Sequence, residues 1–343
     1  MNDFATALPY RRVIAELPSS KIREVAELGM SSGIADIIPL WFGEPDVPTP
    51  DFINQAATHA LAEGHTFYTL NRGIPELREA IATYMSALHG YSIAVDRITV
   101  TASAMNAIAL LTQTLVDRGD NAVLTVPLWP NIAASVGIME GEPRQIALNE
   151  TETGWQLDLD QLFDAVDERT RLIFVNSPSN PTGWMMTADD QRAVLEFCRK
   201  RGIWIVADEV YDRIVYDRLY APSFLDVAES EDLILLINSF SKSWCMTGWR
   251  LGWITAPLEF GPVLEKMNEF NIANAASMAQ HAGIVALREG EDFVHETVKR
   301  YGYARDLVFQ RLAGMPRVRL AKPEAAFYAF FAVDGMDDSL AFA

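Results

Sequence analysis

The chain has 343 residues, half of them apolar and 22% charged, which is typical of a globular protein with a substantial core. Its formal net charge of −18 argues against binding to nucleic acid or to an anionic membrane surface. Two cysteines, Cys198 and Cys245, are too few for a disulfide framework or a cysteine-rich zinc site.

The N-terminal residues do not resemble a signal peptide. Residues 1–20 read MNDFATALPYRRVIAELPSS and lack its apolar core, and no apolar run of the sequence approaches membrane-spanning length. We therefore expect a cytoplasmic protein. Residues 1–45 are punctuated by proline, and we predict that they form an irregular arm.

From residue 97 onward, β-branched runs alternate with helical patterns at 104–119 and 187–202. The second helix is predicted to begin after Thr187 as N-cap and to end at Gly202. The predicted strands are 97–103, 121–127, 171–177, 202–210, 232–238 and 249–256. This alternation is typical of an α/β fold with a largely parallel sheet covered on both faces. A long helix from about residue 291 and an aromatic-rich strand, AAFYAFFAV, are predicted to follow.

Polar side chains come directly after several of the predicted strands. In an open parallel sheet, the carboxyl ends of the strands face the ligand crevice. The residues at these positions are Ser103, Trp129, Asn180, Asp208 and Lys242. The sequence therefore predicts that they come together at one edge of the sheet.

Lys242 lies in SFSKSWCMTGWRLGW, just after the apolar run DLILLIN. It could be a surface lysine with its charge in water, or a Schiff-base lysine whose neutral amine attacks an aldehyde. With Arg250, the nearby Ser239 and Ser241 would form a compact phosphate site. Arg250 by itself is more typical of a surface or paired arginine.

Asp208 follows the apolar run GIWIV, so its carboxylate needs a cationic partner or several hydrogen-bond donors. Asp208 could instead have a structural role, as a helix cap or in a salt bridge that stabilises the fold. Tyr211, three residues further on, could share the site or simply pack. Asn180 lies in NSPSNPTG, which could be an ordinary turn or a rigid loop that aims the amide.

Together, these groups are what pyridoxal phosphate (PLP) requires: an imine-forming lysine, a carboxylate for the ring nitrogen, an aromatic ring and a phosphate cradle. The sequence lacks the motifs that would indicate a nucleotide-binding, serine-nucleophile or metal site instead. There is no GxxxxGK[ST], no GxGxxG opening a helix after the early strands, no GxSxG, and no metal-ligand spacing among the five histidines.

With these residues in this order, the sequence resembles the class I/II aminotransferases, which are aspartate-aminotransferase-like PLP enzymes of fold type I. The resemblance runs from about residue 15 to the C-terminus. It rests on the ordered motifs FGEPDVPTP, YTLNRGIPELREAIA, VTASAMNAIAL, NSPSNPTG, ADEVYDRIVY and SFSKSWCMTGWRLGW.

The resemblance implies an α/β fold with two domains. The large PLP domain, residues 46–288, would have a mainly parallel mixed sheet covered by helices on both faces. The smaller α+β domain would form from both chain ends: the arm, 1–45, and an incomplete C-terminal part, 289–343.

The resemblance also assigns roles to the candidate residues. It implies that Lys242 forms the internal aldimine with PLP and then shuttles the substrate proton, while Asp208 pairs with the pyridinium nitrogen. Asn180 and Tyr211 would hydrogen-bond the ring's 3′-oxygen, and Trp129 would stack on the ring.

Further implied roles concern the phosphate and the substrate. The phosphate would be held by Ser103, the backbone of Ala104 and Met105, Ser239, Ser241 and Arg250. Tyr68 would reach the phosphate of a neighbouring subunit, which implies a homodimer with shared sites. Gly43, with Trp129 and Asn180, would contact the substrate, an L-amino acid or a 2-oxo acid in ping-pong half-reactions.

Two departures from the family pattern matter. Met105 stands where dicarboxylate-specific members often carry a lysine, which favours an apolar, aromatic or small substrate side chain unless another cation substitutes. The segment bearing the arginine that grips the substrate α-carboxylate is missing after Ala343. We expect that the chain is shorter than the working protein; the other reading is a degraded family member.

Alternative functions remain open from the sequence. A PLP lyase of the same fold, such as a C–S lyase or an aminocyclopropane-carboxylate-synthase-like enzyme, would share the constellation. A catalytically impaired homologue or a regulator domain is the non-enzymatic alternative, although residues 1–45 are too short and too weakly basic to bind DNA.

Overall fold

The computed structural model describes residues 10–151, 154–336 and 338–342. Within these ranges the helices are α1 (Arg12–Ala15), α2 (Lys21–Ser31), α3 (Asp51–Ala62), α4 (Pro75–His89), α5 (Ala104–Leu115), α6 (Asn131–Ile138), α7 (Leu159–Asp164), α8 (Ala188–Arg201), α9 (Phe240–Ser243), α10 (Gly261–Glu269), α11 (Ser277–Glu289), α12 (Glu291–Ala313) and α13 (Ser339–Phe342). None of them is long and apolar enough to cross a membrane.

The strands form one large sheet and two small ones. They are β1 (Ile98–Thr101), β2 (Asn121–Val126), β3 (Glu142–Ala147), β4 (Asn149–Thr151), β5 (Gly154–Gln156), β6 (Thr170–Asn176), β7 (Trp204–Asp208), β8 (Ile234–Ser239), β9 (Gly252–Thr255), β10 (Val318–Leu320) and β11 (Phe331–Val333). The large sheet has the order β1-β9-β8-β7-β6-β2-β3, while β4 pairs with β5 and β10 with β11.

The large sheet is mainly parallel and mixed, as predicted. Neighbouring strands pair parallel from β8 to β3, whereas β9 runs antiparallel to both β8 and β1. β1 therefore points the same way as β8, and its carboxyl end reaches the same edge. All six predicted strands of this sheet are present, although β9 is shorter than predicted because residues 247–249 form a 3-10 turn.

Helices cover both faces of the sheet. Along β6, Ile173 and Val175 join one buried cluster and Leu172 and Phe174 join the other, because successive side chains of a strand point to opposite faces. The first cluster includes residues of α3, α4, α8 and α11, and the second includes residues of α5, α6 and α10. The α/β fold class is confirmed.

Two predictions near the chain ends were wrong. The arm is not simply irregular, because α2 forms an 11-residue helix within it; residues 1–9 of the arm lie outside the described ranges. AAFYAFFAV is not one strand, since only its last three residues, Phe331–Val333, pair in β11. Its first part instead packs inward, with Ala325 and Ala326 fully buried. The long helix predicted from residue 291 is present as α12.

Candidate active site

A cavity of about 550 Å³ opens at the carboxyl edge of the large sheet. Of the thirteen site residues predicted from the sequence, all but Tyr68 line it. They are Gly43, Ser103, Ala104, Met105, Trp129, Asn180, Asp208, Tyr211, Ser239, Ser241, Lys242 and Arg250. The parallel topology explains most of this convergence, because ten of the twelve residues end or follow β1, β2, β6, β7 or β8. Arg250 lies just before the antiparallel strand β9, whose start is at the same edge, and Gly43 comes from the arm.

Lys242 stands on the short helix α9, which continues directly from β8. Its Nζ donates a hydrogen bond to the carbonyl oxygen of Gly43 and lies 5.5 Å from the ring centroid of Tyr211. Burial lowers the pKa of Lys242 to about 8, against the opposing effect of the Asp208 charge. A substantial fraction of its amine is therefore neutral, and nucleophilic, near physiological pH.

Asp208 is the last residue of β7 and is buried. The backbone N–H of Val210 donates to its Oδ1 at 3.3 Å. Burial raises the pKa of Asp208 to about 7, and the charge of Lys242 acts in the opposite direction. A cationic group placed beside this carboxyl would therefore favour its ionised form.

Tyr211 is buried beside a tyrosine that the sequence analysis did not select. Its hydroxyl shares a hydrogen bond of 2.5 Å with the hydroxyl of Tyr328, and it also interacts with the side chain of Asn180. Burial raises the pKa of Tyr211 well above its ordinary value. The phenol is thus held protonated as a hydrogen-bond donor.

The loop that carries Asn180 is tied to its neighbours through the backbone. Asn180 N–H donates to Oδ1 of Asn176 at 2.7 Å, and its carbonyl accepts from the Trp129 N–H at 3.1 Å. The side chain of Asn176 also donates to the Asp208 carbonyl at 3.1 Å. Asn176 therefore fixes the position of Asn180 relative to β7.

The opposite end of the cavity gathers hydrogen-bond donors. Ser103 is the N-cap of α5, its hydroxyl accepting from the Asn106 N–H at 3.1 Å, with φ at 103°. The hydroxyls of Ser239 and Ser241 lie 3.0 Å apart. Gly252 is required here, because a Cβ atom would lie 2.8 Å from the Asn238 carbonyl oxygen.

Arg250 completes this cluster. It adopts a left-handed conformation, with φ at 53°, and its Nη1 donates to the Thr247 carbonyl at 2.6 Å. Burial lowers the pKa of its guanidinium. Hydroxyls, a helix N-terminus and a guanidinium that meet at one place are a donor set suited to a phosphate group.

Of the two remaining predicted residues, Gly43 and Tyr68, only the first belongs to the cavity. Gly43 lines the cavity and packs against Tyr328 so closely that any Cβ would overlap the phenol hydroxyl. Tyr68 lies outside the cavity, and 89% of its surface is exposed.

Sequence reasoning missed several cavity residues. Asn176 stands in the same NSPSNPTG motif and could have been found from its place at a strand end. Tyr328 comes from a segment predicted to be a strand, and Arg23 and Phe42 come from the arm. Phe42 begins the motif FGEPDVPTP, directly before Gly43, and could have been found there. No local pattern signals Arg23 or Tyr328, because their positions depend on long-range packing.

The described residues fit pyridoxal phosphate. A partly buried amine and a buried carboxyl line the same cavity, with phenol and amide donors beside them and a donor set suited to a phosphate at the other end. When bound, this cofactor supplies an aldehyde carbon and an electron-accepting ring.

Comparisons with known proteins agree with this geometry. The family "Aminotransferase class I and II" matches residues 35–342. An aspartate aminotransferase of Pyrococcus horikoshii is 37% identical over 318 residues, which are 92% of this chain and 80% of that protein.

Solved structures give the same result. The crystal structure of an aspartate aminotransferase from Thermotoga maritima superimposes with a TM-score of 0.90 at 32% identity, covering 97% of this chain and 87% of that one. An aromatic aminotransferase from Pyrococcus horikoshii superimposes with a TM-score of 0.81 at 31% identity, covering 90% and 82%.

The chain therefore belongs to the class I and II aminotransferase family. It is an enzyme that transfers amino groups between amino acids and 2-oxo acids with pyridoxal phosphate as cofactor. The relatives give no support to the lyase or to the impaired homologue considered from the sequence.

Proposed function

We propose that Lys242 is the catalytic amine of this aminotransferase and that the reaction proceeds by ping-pong half-reactions. The observation that carries the proposal is that Lys242, held by the carbonyl oxygen of Gly43, and the buried carboxyl of Asp208 line one cavity, where burial lowers the pKa of the lysine and raises that of the carboxyl. Lys242 Nζ would hold the cofactor and, when its amine is free, would accept the proton from the substrate α-carbon.

Asp208 holds the protonated ring nitrogen of the cofactor. Its buried carboxyl gains a cationic partner there, which compensates for the burial that raises its pKa in the free protein. Asn180 and Tyr211 would donate hydrogen bonds to the ring's 3′-oxygen, Trp129 would stack on the ring, and Gly43 would contact the substrate. Phe327, whose ring centroid lies 5.6 Å from Lys242 Nζ, helps to exclude water from the amine.

The phosphate end of the cofactor occupies the donor cluster. Ser103 and the backbone N–H groups of Ala104 and Met105 bind at the N-terminus of α5. The remaining ligands are Ser239, Ser241 and Arg250.

The assembly we propose is a homodimer in the cytoplasm. Tyr68 is 89% exposed and is flanked by Phe67 and Leu70, which are 83% and 59% exposed, so this segment offers an apolar surface to a second copy of the chain. In that dimer Tyr68 contributes to the phosphate site of its neighbour. The proposed domain division has an arm at residues 1–45, a large cofactor-binding domain at 46–288 and the C-terminal part of the small domain at 289–343.

The substrates are an L-amino acid and a 2-oxo acid. Relatives named for aspartate and for aromatic amino acids make both kinds of donor candidates for this chain.

Absorbance spectroscopy tests the proposed function. The wild-type protein loaded with cofactor should change spectrum when single L-amino acids are titrated in, and recover when a 2-oxo acid is added. After borohydride treatment, mass spectrometry should find the cofactor on the Lys242 peptide.

The Lys242→Ala variant should bind the cofactor without covalent attachment and should lack turnover. Cofactor fixed to the variant at another lysine would overturn the assignment of Lys242. A wild-type protein that releases ammonia with every donor, and needs no 2-oxo acid, would overturn aminotransfer itself.

A further inference from the structure

The segment that carries Tyr68 is exposed on one side and held by a buried glutamine on the other. Residues 63–74 join α3 to α4 without regular secondary structure, and Phe67, Tyr68 and Leu70 among them are mostly exposed. Gln280, on α11, is fully buried and contacts this segment from inside the protein. The role proposed for Tyr68 needs an accurately placed hydroxyl, so the contacts that fix this segment bear on cofactor binding.

Both ends of the Gln280 amide are engaged at this segment. Its Oε1 accepts a hydrogen bond from the Ile74 N–H at 2.8 Å. Its Nε2 donates to the Thr69 hydroxyl at 3.1 Å and to the Ala275 carbonyl at 2.8 Å. A buried amide that lost these partners would be left unsatisfied, so the three bonds favour a single position of the chain beside Tyr68.

Two further contacts hold the segment on either side of Tyr68. The ring of His281, also on α11, lies with its centroid 4.1 Å from that of the His65 ring. Asn268, on α10, donates from Nδ2 to the Asn71 carbonyl at 2.8 Å. Tyr68 is therefore flanked by fixed points, while its own side chain stays exposed.

We propose that Gln280 is a positioning residue, which fixes this segment so that the Tyr68 hydroxyl meets the phosphate of the cofactor in the neighbouring subunit. The inference rests on the proposed function, and in particular on a dimer with shared sites. Gln280 does not line the cavity of its own chain. It acts instead on the cavity of the other subunit, through Tyr68.

Two variants remove the contact to different extents. Gln280→Met keeps the size of the buried side chain and loses all three hydrogen bonds. It should weaken PLP binding in equilibrium dialysis about tenfold, as expected when a hydrogen bond to the charged phosphate is lost. Thr69→Val removes the Thr69 bond of Gln280 and leaves the other two. It should weaken binding about threefold, and it decides the question if Gln280→Met does not fold.

A double-mutant cycle separates positioning from a general effect on the fold. In a Tyr68→Phe background there is no hydroxyl left to position, so Gln280→Met should cause less than about a twofold further loss of affinity. If the two losses multiply instead, Gln280 does not act through Tyr68, and the inference is overturned.

Gln191 provides a matched control. It is another buried glutamine, on α8, and its Nε2 donates to the Pro222 carbonyl at 3.0 Å. It lies outside the cavity and outside residues 63–74. Gln191→Met should lower the melting temperature, as Gln280→Met should, and leave the affinity for PLP unchanged. An equal loss of affinity in both variants would show that any buried glutamine matters in this way, and would contradict positioning.

Hybrid dimers, purified through two different affinity tags, test whether Gln280 acts on the neighbouring site. In the first hybrid, a wild-type subunit is paired with a subunit that carries both Lys242→Ala and Gln280→Met. The site that keeps Lys242 receives Tyr68 from the altered subunit, and it should show the full loss of affinity. In the second hybrid, a Gln280→Met subunit is paired with a Lys242→Ala subunit. Its Lys242 site receives Tyr68 from a chain with native Gln280, and it should bind as in the wild type.

The amount of cofactor that borohydride fixes to Lys242, measured by mass spectrometry over a range of PLP concentrations, reports the affinity of that site alone. Equal losses in the two hybrids, or a loss in the second alone, would overturn the inference.

The same measurements distinguish failure of the inference from failure of the proposed function. If Tyr68→Phe binds PLP as tightly as the wild type, the shared site is refuted and the inference with it. If Tyr68→Phe weakens binding and Gln280→Met does not, the inference alone is overturned. None of these measurements needs turnover, so they decide the role of Gln280 whether or not an amino donor is converted.

Discussion

The buried carboxyl group of Asp208 links the stability of the cofactor-free protein to pH. In an unfolded chain an aspartic acid titrates near pH ~3.9, whereas in the folded protein burial raises the pKa of Asp208 to about 7. Between these values the folded state binds more protons than the unfolded state. The contribution of Asp208 to stability therefore decreases as pH rises from about 4 to 7.

Replacement of Asp208 by asparagine should separate its two roles. Without cofactor, Asp208→Asn should raise the melting temperature at pH 8 more than at pH 5, because the cost of burying a charge is removed. With cofactor, turnover should fall about 100-fold or more, as expected when one partner of a buried ion pair is lost. Calorimetry at the two pH values and single-turnover rates are the measurements; near-normal rates would contradict the proposed pairing with the ring nitrogen.

At the residue scale, the sequence predicts best those residues whose position follows from a strand end. Asp208 and Lys242 could be found because each follows an apolar run that had to be a buried strand. Tyr328 could not, because its contacts with Tyr211 and Gly43 join segments far apart in sequence. Arg23 was missed since nothing in the arm indicates which face of α2 meets the cavity.

Among the elements, α5 has an N-cap residue, Ser103, with a structural role and a proposed role in phosphate binding. Ser103 caps the helix, but its φ of 103° is unfavourable for any residue with a Cβ. Thr187 caps α8 with an ordinary φ of −73° and does not line the cavity. Ser103 and Thr187 are therefore comparable hydroxyl N-caps, of which only Ser103 lines the cavity.

Glycine at each cap should produce opposite effects. Ser103→Gly should keep or raise the melting temperature, because relief of backbone strain offsets the lost cap, and should weaken pyridoxal phosphate binding about tenfold. Thr187→Gly should lower the melting temperature and leave cofactor binding unchanged. Equilibrium dialysis and thermal unfolding measure both, and equal cofactor affinity in the two variants would argue against a phosphate ligand at Ser103.

The elements differ in how well local sequence defines them. The bounds predicted for α8 agree with the structure to within a residue, because Thr187 caps its start and Gly202, with φ at 66°, ends it. The strand β3 was not predicted. It lies at the sheet edge, half exposed, and its sequence EPRQIA has the proline and charges that edge strands tolerate.

At the scale of the whole molecule, alternation of strands and helices was sufficient to predict a doubly covered, mainly parallel sheet. The reversal of β9 was not predictable in that way, because direction depends on the connection and not on the composition of the strand. The proposed dimer is likewise a property that one chain indicates only through exposed apolar residues.

The proposed dimer predicts a specific complementation. The wild-type protein should sediment at twice the 38.2 kDa of one chain. A mixture of Lys242→Ala and Tyr68→Phe subunits should contain heterodimers in which one site has both native residues, so that cofactor affinity per active site recovers relative to Tyr68→Phe alone. Monomers in sedimentation, or a mixture no better than its components, would contradict shared sites.

The contact of Gly43 with Tyr328 beside Lys242 has a consequence for biosynthesis. These two residues are separated by most of the sequence, so a chain leaving the ribosome carries Gly43 long before Tyr328 exists. The central sheet can assemble in the meantime, but the wall around Lys242 cannot be completed until Tyr328 has been synthesised. A nascent chain should therefore complete this cavity only after residue 328 has left the ribosome.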